Sequence, residues 1–274
     1  MGFMVGKNSL SRNLFLIFNY IFFLILILIC IYPMWYVFVQ SVSADTRAGT
    51  ALFWPNRFTL NTYIAIFRFG SFYHALLISV ARTVIGAVLT VFSCMWLGYL
   101  FSKEEMPFRR FMYRMLIVTM YVSGGLIPTF LVMRAYGLVG TFSVYILPAM
   151  INAFFVILIK TFIEQLPSSV EESAMIDGAG SIKIFIRIIF PMSLPIAATI
   201  AVFAAVAQWN AWVDNMIYNA DVPSLTTLQF FLYRRSGGHW GLAYTMLTIM
   251  PIILVYPLLQ RFFVKGITIG AIKG

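Results

Sequence analysis

Acidic side chains are scarce in this 274-residue chain: nine Asp and Glu stand against nineteen Lys and Arg, and charged residues make up only 10% of the total. A soluble domain carries about 25% charged residues, so this composition excludes an ordinary water-exposed globule. Cysteine is nearly missing too. Cys30 and Cys94 both fall within apolar runs, which argues against a disulfide framework or a thiolate metal site. The two histidines, His74 and His239, have no carboxylate or cysteine at ligand spacing, so no metal or catalytic role is assigned to them. No stretch reads G-x-x-x-x-G-K-[ST], and Gly178-Ala179-Gly180 completes no dinucleotide fingerprint, so the chain is not expected to bind ATP itself. No nucleic-acid motif, internal repeat or low-complexity tract is evident, and residues 1–274 read as a single domain.

What the chain has in abundance is apolar sequence: 61% hydrophobic residues and a mean hydropathy of +0.91. Six spans are expected, over residues 14–39, 75–101, 115–133, 142–159, 188–207 and 242–263. Each is near the roughly 20 apolar residues that a helix needs to cross a bilayer, and helices satisfy their own backbone hydrogen bonds in lipid. The predicted class is therefore an all-α membrane protein, a bundle of six transmembrane helices. The first span is too long for a cleavable signal, whose apolar run is about 7–15 residues, and reads as a retained anchor.

Basic residues set the orientation. With a cytoplasmic N-terminus, the inside segments carry Lys7, Arg12, Lys103, Arg109, Arg110, Arg114, Lys160, Lys183, Arg187, Arg261, Lys265 and Lys273. The outside segments then carry Arg47, Arg57, Arg68, Arg134, Arg234 and Arg235, while Arg82 lies within a span. This bias places both termini inside, together with the charged segment between the fourth and fifth spans.

That segment, residues 172–191, reads ESAMIDGAGSIKIFIRIIFP. Ser168 or Ser169 is placed to cap a short helix, with Glu171 and Glu172 as acidic partners three residues on. Asp177-Gly178 should end it, since Gly178 tolerates the left-handed conformation, and Ser181 is placed to cap a second helix running into the fifth span. The segment resembles the EAA loop of permeases in binding-protein-dependent ABC importers, a pattern of Glu-Ala-Ala, Gly, Ile and Leu-Pro. Here those places hold Glu172-Ser173-Ala174, Gly178, Ile188 and Phe190-Pro191, with Ser173 for Ala and Phe190 for Leu. The resemblance extends through Gly124-Gly125-Leu126-Ile127-Pro128-Thr129, Gln208-Trp209-Asn210-Ala211-Trp212 and the ending 256–266, and is strongest to permeases for oligosaccharides and polysaccharides.

The resemblance implies a type I ABC importer permease fold and a heterodimer with a second, related permease. It also implies two cytoplasmic ATPase subunits that bind ATP and Mg, an extracytoplasmic solute-binding protein, and residence in a bacterial cytoplasmic membrane. It assigns coupling to the ATPases to a loop of about residues 160–187, with Glu171, Glu172, Ser173, Ala174, Asp177 and Gly178 as its residues and Glu172 as the charged contact. The tail 265–274 is a further contact implied by resemblance alone.

Several side chains are candidates for a substrate path. Gln208, Trp209, Asn210, Trp212, Asp214 and Asn215 mix aromatic faces with amides near the outer end of the fifth span, a combination suited to sugar rings and hydroxyls. Interfacial tryptophans also form ordinary aromatic belts. Asn152, in the middle of the fourth span, should face the bundle interior, for helix-to-helix bonding or for sugar contact. Arg82 should either snorkel outward or face a wet cavity, because a charge toward lipid costs roughly 2.5–3.5 kcal/mol. Pro128, Pro148, Pro191, Pro195, Pro251 and Pro257 punctuate four spans and suit kinked helices. Six external arginines against Asp45, Asp214 and Asp221 point to an acidic oligosaccharide, such as an alginate or pectin fragment, over a neutral glucan. The rival class is an ATP-independent secondary transporter or channel. It is weakened because all nine acidic residues fall in loops or at span ends.

Overall fold

A computed structural model describes residues 10–44, 51–235 and 237–271, and among these the chain is helical, with one isolated antiparallel bridge between Ser43 and Phe58. Arg47, Asp45 and the extreme termini with Lys7 and Lys273 lie outside the described residues. The chain divides into two compact units, residues 1–68 with 235–247 and residues 69–234 with 248–274.

The first unit is built on α1 (Leu10–Ser41). Its apolar side chains from Leu14 to Ile31 are almost all exposed in the isolated chain, as expected of a helix whose partner is lipid. At its far end the following segment is tied back. Trp35 Nε1 donates to Phe53 O at 3.0 Å, Gln40 Nε2 to the carbonyl of Ala51 at 2.9 Å, and Ser41 Oγ shares a 2.6 Å hydrogen bond with Tyr63 OH on α2 (Asn61–Arg68). Burial pushes the Tyr63 phenol above its ordinary pKa.

The second unit is organised around α3 (Gly70–Ser102), against which α6 (Ala153–Ile163) and α10 (Leu194–Asn210) pack. Gly98 makes the α3–α6 approach possible: a Cβ there would stand 2.5 Å from Ile159 Cγ2 and 3.2 Å from the Lys160 backbone nitrogen. Small residues at such crossings let helix backbones close up where no hydrophobic effect drives them together. Cys94, Met95, Tyr99, Val156, Ile159 and Ile200 form the core between these elements, joined by Ile184 and Phe185 from the segment that precedes α10.

Two expected spans, 14–39 and 75–101, correspond to continuous helices long and apolar enough to cross a membrane. The expected third span, 115–133, is divided into α4 (Arg109–Tyr121) and α5 (Leu126–Ala135), interrupted at Gly125 with φ +79°. The expected fourth span does not begin as an α-helix. Residues Phe142–Tyr145 and Leu147–Ala149 form 3₁₀ turns around Pro148, and α6 leaves them at 47°.

The fifth expected span is misplaced at its start. After α7 (Ser168–Ile176) and α8 (Ser181–Ile184), the chain passes through a π-helical turn, Phe185–Ile189, and a short α9 (Phe190–Met192). It then bends by 81° into α10, so residues 188–192 belong to the loop side of the break. Pro191 and Pro195 flank this bend at Ser193, and each removes a backbone donor. Beyond α10 lie α11 (Val213–Tyr218), α12 (Leu228–Arg234) and α13 (Gly238–Ala271); Pro251 and Pro257 sit inside α13 without interrupting it.

Candidate functional site

The segment between α6 and α10 forms the short helix, sharp turn and second helix read from the sequence. Its caps differ. Pro167 is the N-cap of α7 and Gly180 that of α8, neither giving a side-chain cap bond, while Ser168 and Ser181 are the first helical residues. Proline's fixed φ and the flanking geometry replace the hydroxyl cap that the Ser-Ser-Val-Glu pattern suggests. The turn is as expected: Asp177 closes α7, Gly178 has φ +75°, and Gly178 N and Ala179 N bond back to Met175 O and Ala174 O at 3.0 and 2.9 Å. These are the paired returns of a left-handed helix terminus.

The two neighbouring glutamates point to different environments. Glu171 is turned inward, its carboxylate accepting from Tyr99 OH on α3 at 3.1 Å and pairing with Lys103 at the C-cap of that helix. Glu172 is exposed, as are Ser173, Met175, Ile176 and Asp177, with Ile176 at 86% of its full exposure. Ala174 is buried in the core beneath them. The loop therefore presents one acidic, partly apolar face away from the unit while its other face is fixed. Nearby, Glu164 accepts from Lys160 at 2.7 Å and from Arg109 at 3.0 Å, tying α6 to the start of α4.

In the N-terminal half of α3, two of the polar candidates, Gln208 and Asp214, converge on Arg82, which is 1% exposed. Its guanidinium donates to Asp214 Oδ2 at 2.6 Å and Oδ1 at 3.2 Å, to Gln208 Oε1 at 3.0 and 3.2 Å, and to the carbonyl of Ala211 at 3.2 Å. It lies 4.6 Å from the ring centroid of Tyr145. Both expectations for Arg82 are thus corrected: it neither snorkels outward nor faces a wet cavity, because a carboxylate that looked like a distant loop residue reaches it. The chain break at Ala211 returns α11 toward α3 and brings Asp214 there. Burial pushes the Tyr218 phenol above its ordinary pKa, and the charge of Asp214 adds to the effect.

The remaining candidates are mostly bound into the protein. Gln208 Nε2 donates to Tyr145 O at 3.3 Å, and Asn215 Nδ2 to Asn219 O at 3.2 Å while its Oδ1 accepts from Thr227 N at 2.7 Å. Trp209 Nε1 donates to Thr248 O at 3.2 Å. Its ring lines a cavity of about 320 Å³ with Val80, Thr83, Val84, Val202 and Pro251, a lining that is apolar apart from the Thr83 hydroxyl and so poorly suited to a sugar with many hydroxyls. Trp212 stacks on Tyr233 at 4.4 Å, and exposed Asn210 donates to Val206 O at 3.0 Å. Asn152 does not face the bundle interior. It is exposed and caps α6, its Oδ1 accepting from Phe155 N at 3.2 Å, because the fourth span is broken where an unbroken helix was expected. Sequence reasoning missed Tyr99, Lys103 and Tyr145, whose aromatic and basic characters carry no signal until the helices are placed.

Residues 94–269 match the family described as binding-protein-dependent transport system inner membrane component. The chain belongs to that family. Over 97% of its length this permease is 34% identical to the whole of the polygalacturonan/rhamnogalacturonan transport system permease protein YtcP of Bacillus subtilis (strain 168). It is 26% identical to the arabinooligosaccharides transport system permease protein AraQ of Halalkalibacterium halodurans, covering 90% of this chain and 92% of that one. Its fold matches a chain in the crystal structure of a bacterial ABC transporter involved in the import of the acidic polysaccharide alginate. That match has a TM-score of 0.85 and 26% identity, over 94% of this permease and 100% of that chain. The type I importer permease fold expected from the EAA-like loop is thereby established, with the helix breaks described above.

Proposed function

We propose that this permease carries an acidic oligo- or polysaccharide, one containing uronic acid, across the cytoplasmic membrane by alternating access driven by partner ATPases. A solute-binding protein delivers the sugar from outside, and a second, related permease completes the path. ATP and Mg are bound by two cytoplasmic ATPase subunits and not by this chain. Both termini and the α7–α8 loop are cytoplasmic in this reading.

The observation that carries the coupling role is the two-faced loop: Glu172, Met175, Ile176 and Asp177 are presented outward from a helix whose Glu171 and Ala174 are held inward. The loop exposes several large apolar side chains, Met175, Ile176 and Ile182, beside acidic Glu172 and Asp177, a combination suited to a protein partner. The acidic substrate is supported by relatives whose own names specify polygalacturonan and alginate, and by exposed Arg57, Arg68 and Arg134. Arg82 is withdrawn from that argument, since Asp214 neutralises it.

The test is ATP-dependent uptake by the complete reconstituted transporter, with Glu172→Lys and Gly178→Val introduced into the loop. Loss of ATPase co-purification together with uptake is the expected result. Intact assembly and uptake would remove the coupling role, and uptake by this chain alone, driven by an ion gradient and indifferent to ATP, would replace the importer reading with a secondary carrier.

A further inference from the structure

The side of the loop that faces inward is as organised as the side that faces out. On α3, Phe92, Trp96 and Tyr99 follow one another at intervals of four and three residues, which places them along one stripe of the helix, and Lys103 is the residue at its C-cap. Both arms of the loop are fastened to that stripe. The first arm is held by Glu171, which receives the Tyr99 hydroxyl at 3.1 Å and pairs with Lys103, whose Nζ also sits 4.7 Å from the Tyr99 ring centroid. The second arm is held by Phe185, whose ring lies 4.9 Å from that of Trp96, 5.3 Å from Tyr99 and 6.2 Å from Phe92. Tyr99 and Phe185 are each only 1% exposed, so the clasp is packed rather than a loose surface contact.

The same helix carries Arg82, about 25 Å from Tyr99 along its axis at ~1.5 Å per residue. There it is bonded to Asp214, Gln208 and Ala211, which belong to α10, α11 and the break between them. An unbroken helix thus has the cytoplasmic loop fastened near its C-terminal end and the α10–α11 break fastened within its N-terminal half. The other connections from the loop are weaker as levers: α10 leaves it through an 81° bend, and α6 is bent by 47° from its preceding turns.

We propose that Glu171 is a positioning residue for coupling: through Lys103 and Tyr99 it latches the loop's first helix to α3, which transmits loop movement to the Arg82–Asp214 junction. This rests on the proposed docking of the loop on an ATPase, but assigns a different residue and a different step. Glu172 makes the outside contact; Glu171 passes the load inward. A carboxylate in the first turn of α7 is also favoured by the helix dipole, so the latch costs the helix nothing.

The experiment is a double-mutant cycle with Lys103→Met, Glu171→Gln and the combined variant, in the complete transporter with its binding protein and a galacturonate oligomer. Two quantities are read: ATPase subunits retained on purification, and sugar taken up per ATP hydrolysed. Each single variant should keep its ATPases, because the outward face is untouched, and should lower uptake per ATP about tenfold, on the scale of an allosteric coupling. The combined variant should be no worse than either single one, since both remove one latch, and Lys103→Arg should remain near the native ratio. An unchanged ratio in the single variants, or losses that multiply in the combined one, overturns the latch. So does loss of the ATPases from a single variant, which would make the pair part of the docking surface. Glu172→Lys serves as the reference for docking failure, because it is expected to lose the ATPases themselves.

Discussion

Arg82 and Asp214, on α3 and α11, are joined by two hydrogen bonds of 2.6 and 3.2 Å, with the arginine side chain 2% exposed and the aspartate 24%. Removing one member of a buried pair leaves the other charged and uncompensated, at a cost of about 3–5 kcal/mol. Asp214→Ala should therefore lower the thermal midpoint and yield of the purified transporter in detergent. Arg82→Leu combined with Asp214→Ala should recover much of that loss, because no charge is then stranded. If Asp214→Ala is as stable as the native chain, the pair is not holding α11 on α3.

The close α3–α6 crossing gives a second expectation. Gly98→Ala forces a methyl to within 2.5 Å of Ile159 Cγ2 and near the Lys160 backbone, which has no freedom to rotate away. Overpacking of this kind costs about 1–3 kcal/mol. Gly86→Ala meets instead the side chain of Gln208, with Cδ at 2.8 Å, and should act by displacing a bonding partner of Arg82. Heat-induced aggregation of the two variants, read alongside Asp214→Ala, distinguishes these routes. Gly86→Ala should add little to Asp214→Ala, whereas Gly98→Ala should add its full cost, as independent sites do.

The spans at 14–39 and 75–101 and the turn at Gly178 are legible because each depends on local sequence: hydropathy over a span, and a left-handed position suited to glycine. The breaks were harder to place. Pro148, Pro191 and Pro195 were visible, but proline also sits inside α13 at Pro251 and Pro257, so its presence does not say whether a helix bends by 81° or continues. Where a break occurs depends on the tertiary groups that receive the freed backbone. Arg82 shows the same limit from another side. A charge facing lipid is costly, which points to snorkelling or a wet cavity, but the partner that buries it lies 132 residues further on, beyond the break at Ala211 that swings α11 back. Asn152 was expected to seek a distant partner and instead bonds three residues ahead, because the helix starts there.

The turn of the loop gives a third expectation. Gly178 has φ +75° and no atom near its missing side chain, so substitution is penalised by backbone conformation and not by crowding. Gly178→Asn should be tolerated better than Gly178→Val, because Asn visits the left-handed region and a β-branched residue does so with difficulty. Uptake per transporter should fall in that order. Equal activity of the Asn and Val variants would mean that the turn conformation is not needed for coupling.

The substrate expectation concerns exposed charge alone. Arg57, Arg68 and Arg134 are exposed on segments assigned to the outside, and Arg234 lies 5.8 Å from the Phe230 ring centroid. Exposed positive charge raises the local concentration of an anionic ligand, and salt screens the effect. Galacturonate oligomers should therefore stimulate the transporter's ATPase, in the presence of its binding protein, more than neutral glucans of equal length, and the advantage should shrink as ionic strength rises. Arg134→Gln should weaken stimulation by no more than about fivefold, the equivalent of ~1 kcal/mol for an exposed ion pair. Neutralising Arg82 should act differently, lowering the amount of assembled transporter for every substrate alike, because its charge is already committed to Asp214. Equal stimulation by neutral glucans, insensitive to salt and to Arg134, would rule out an acidic substrate while leaving the importer itself intact.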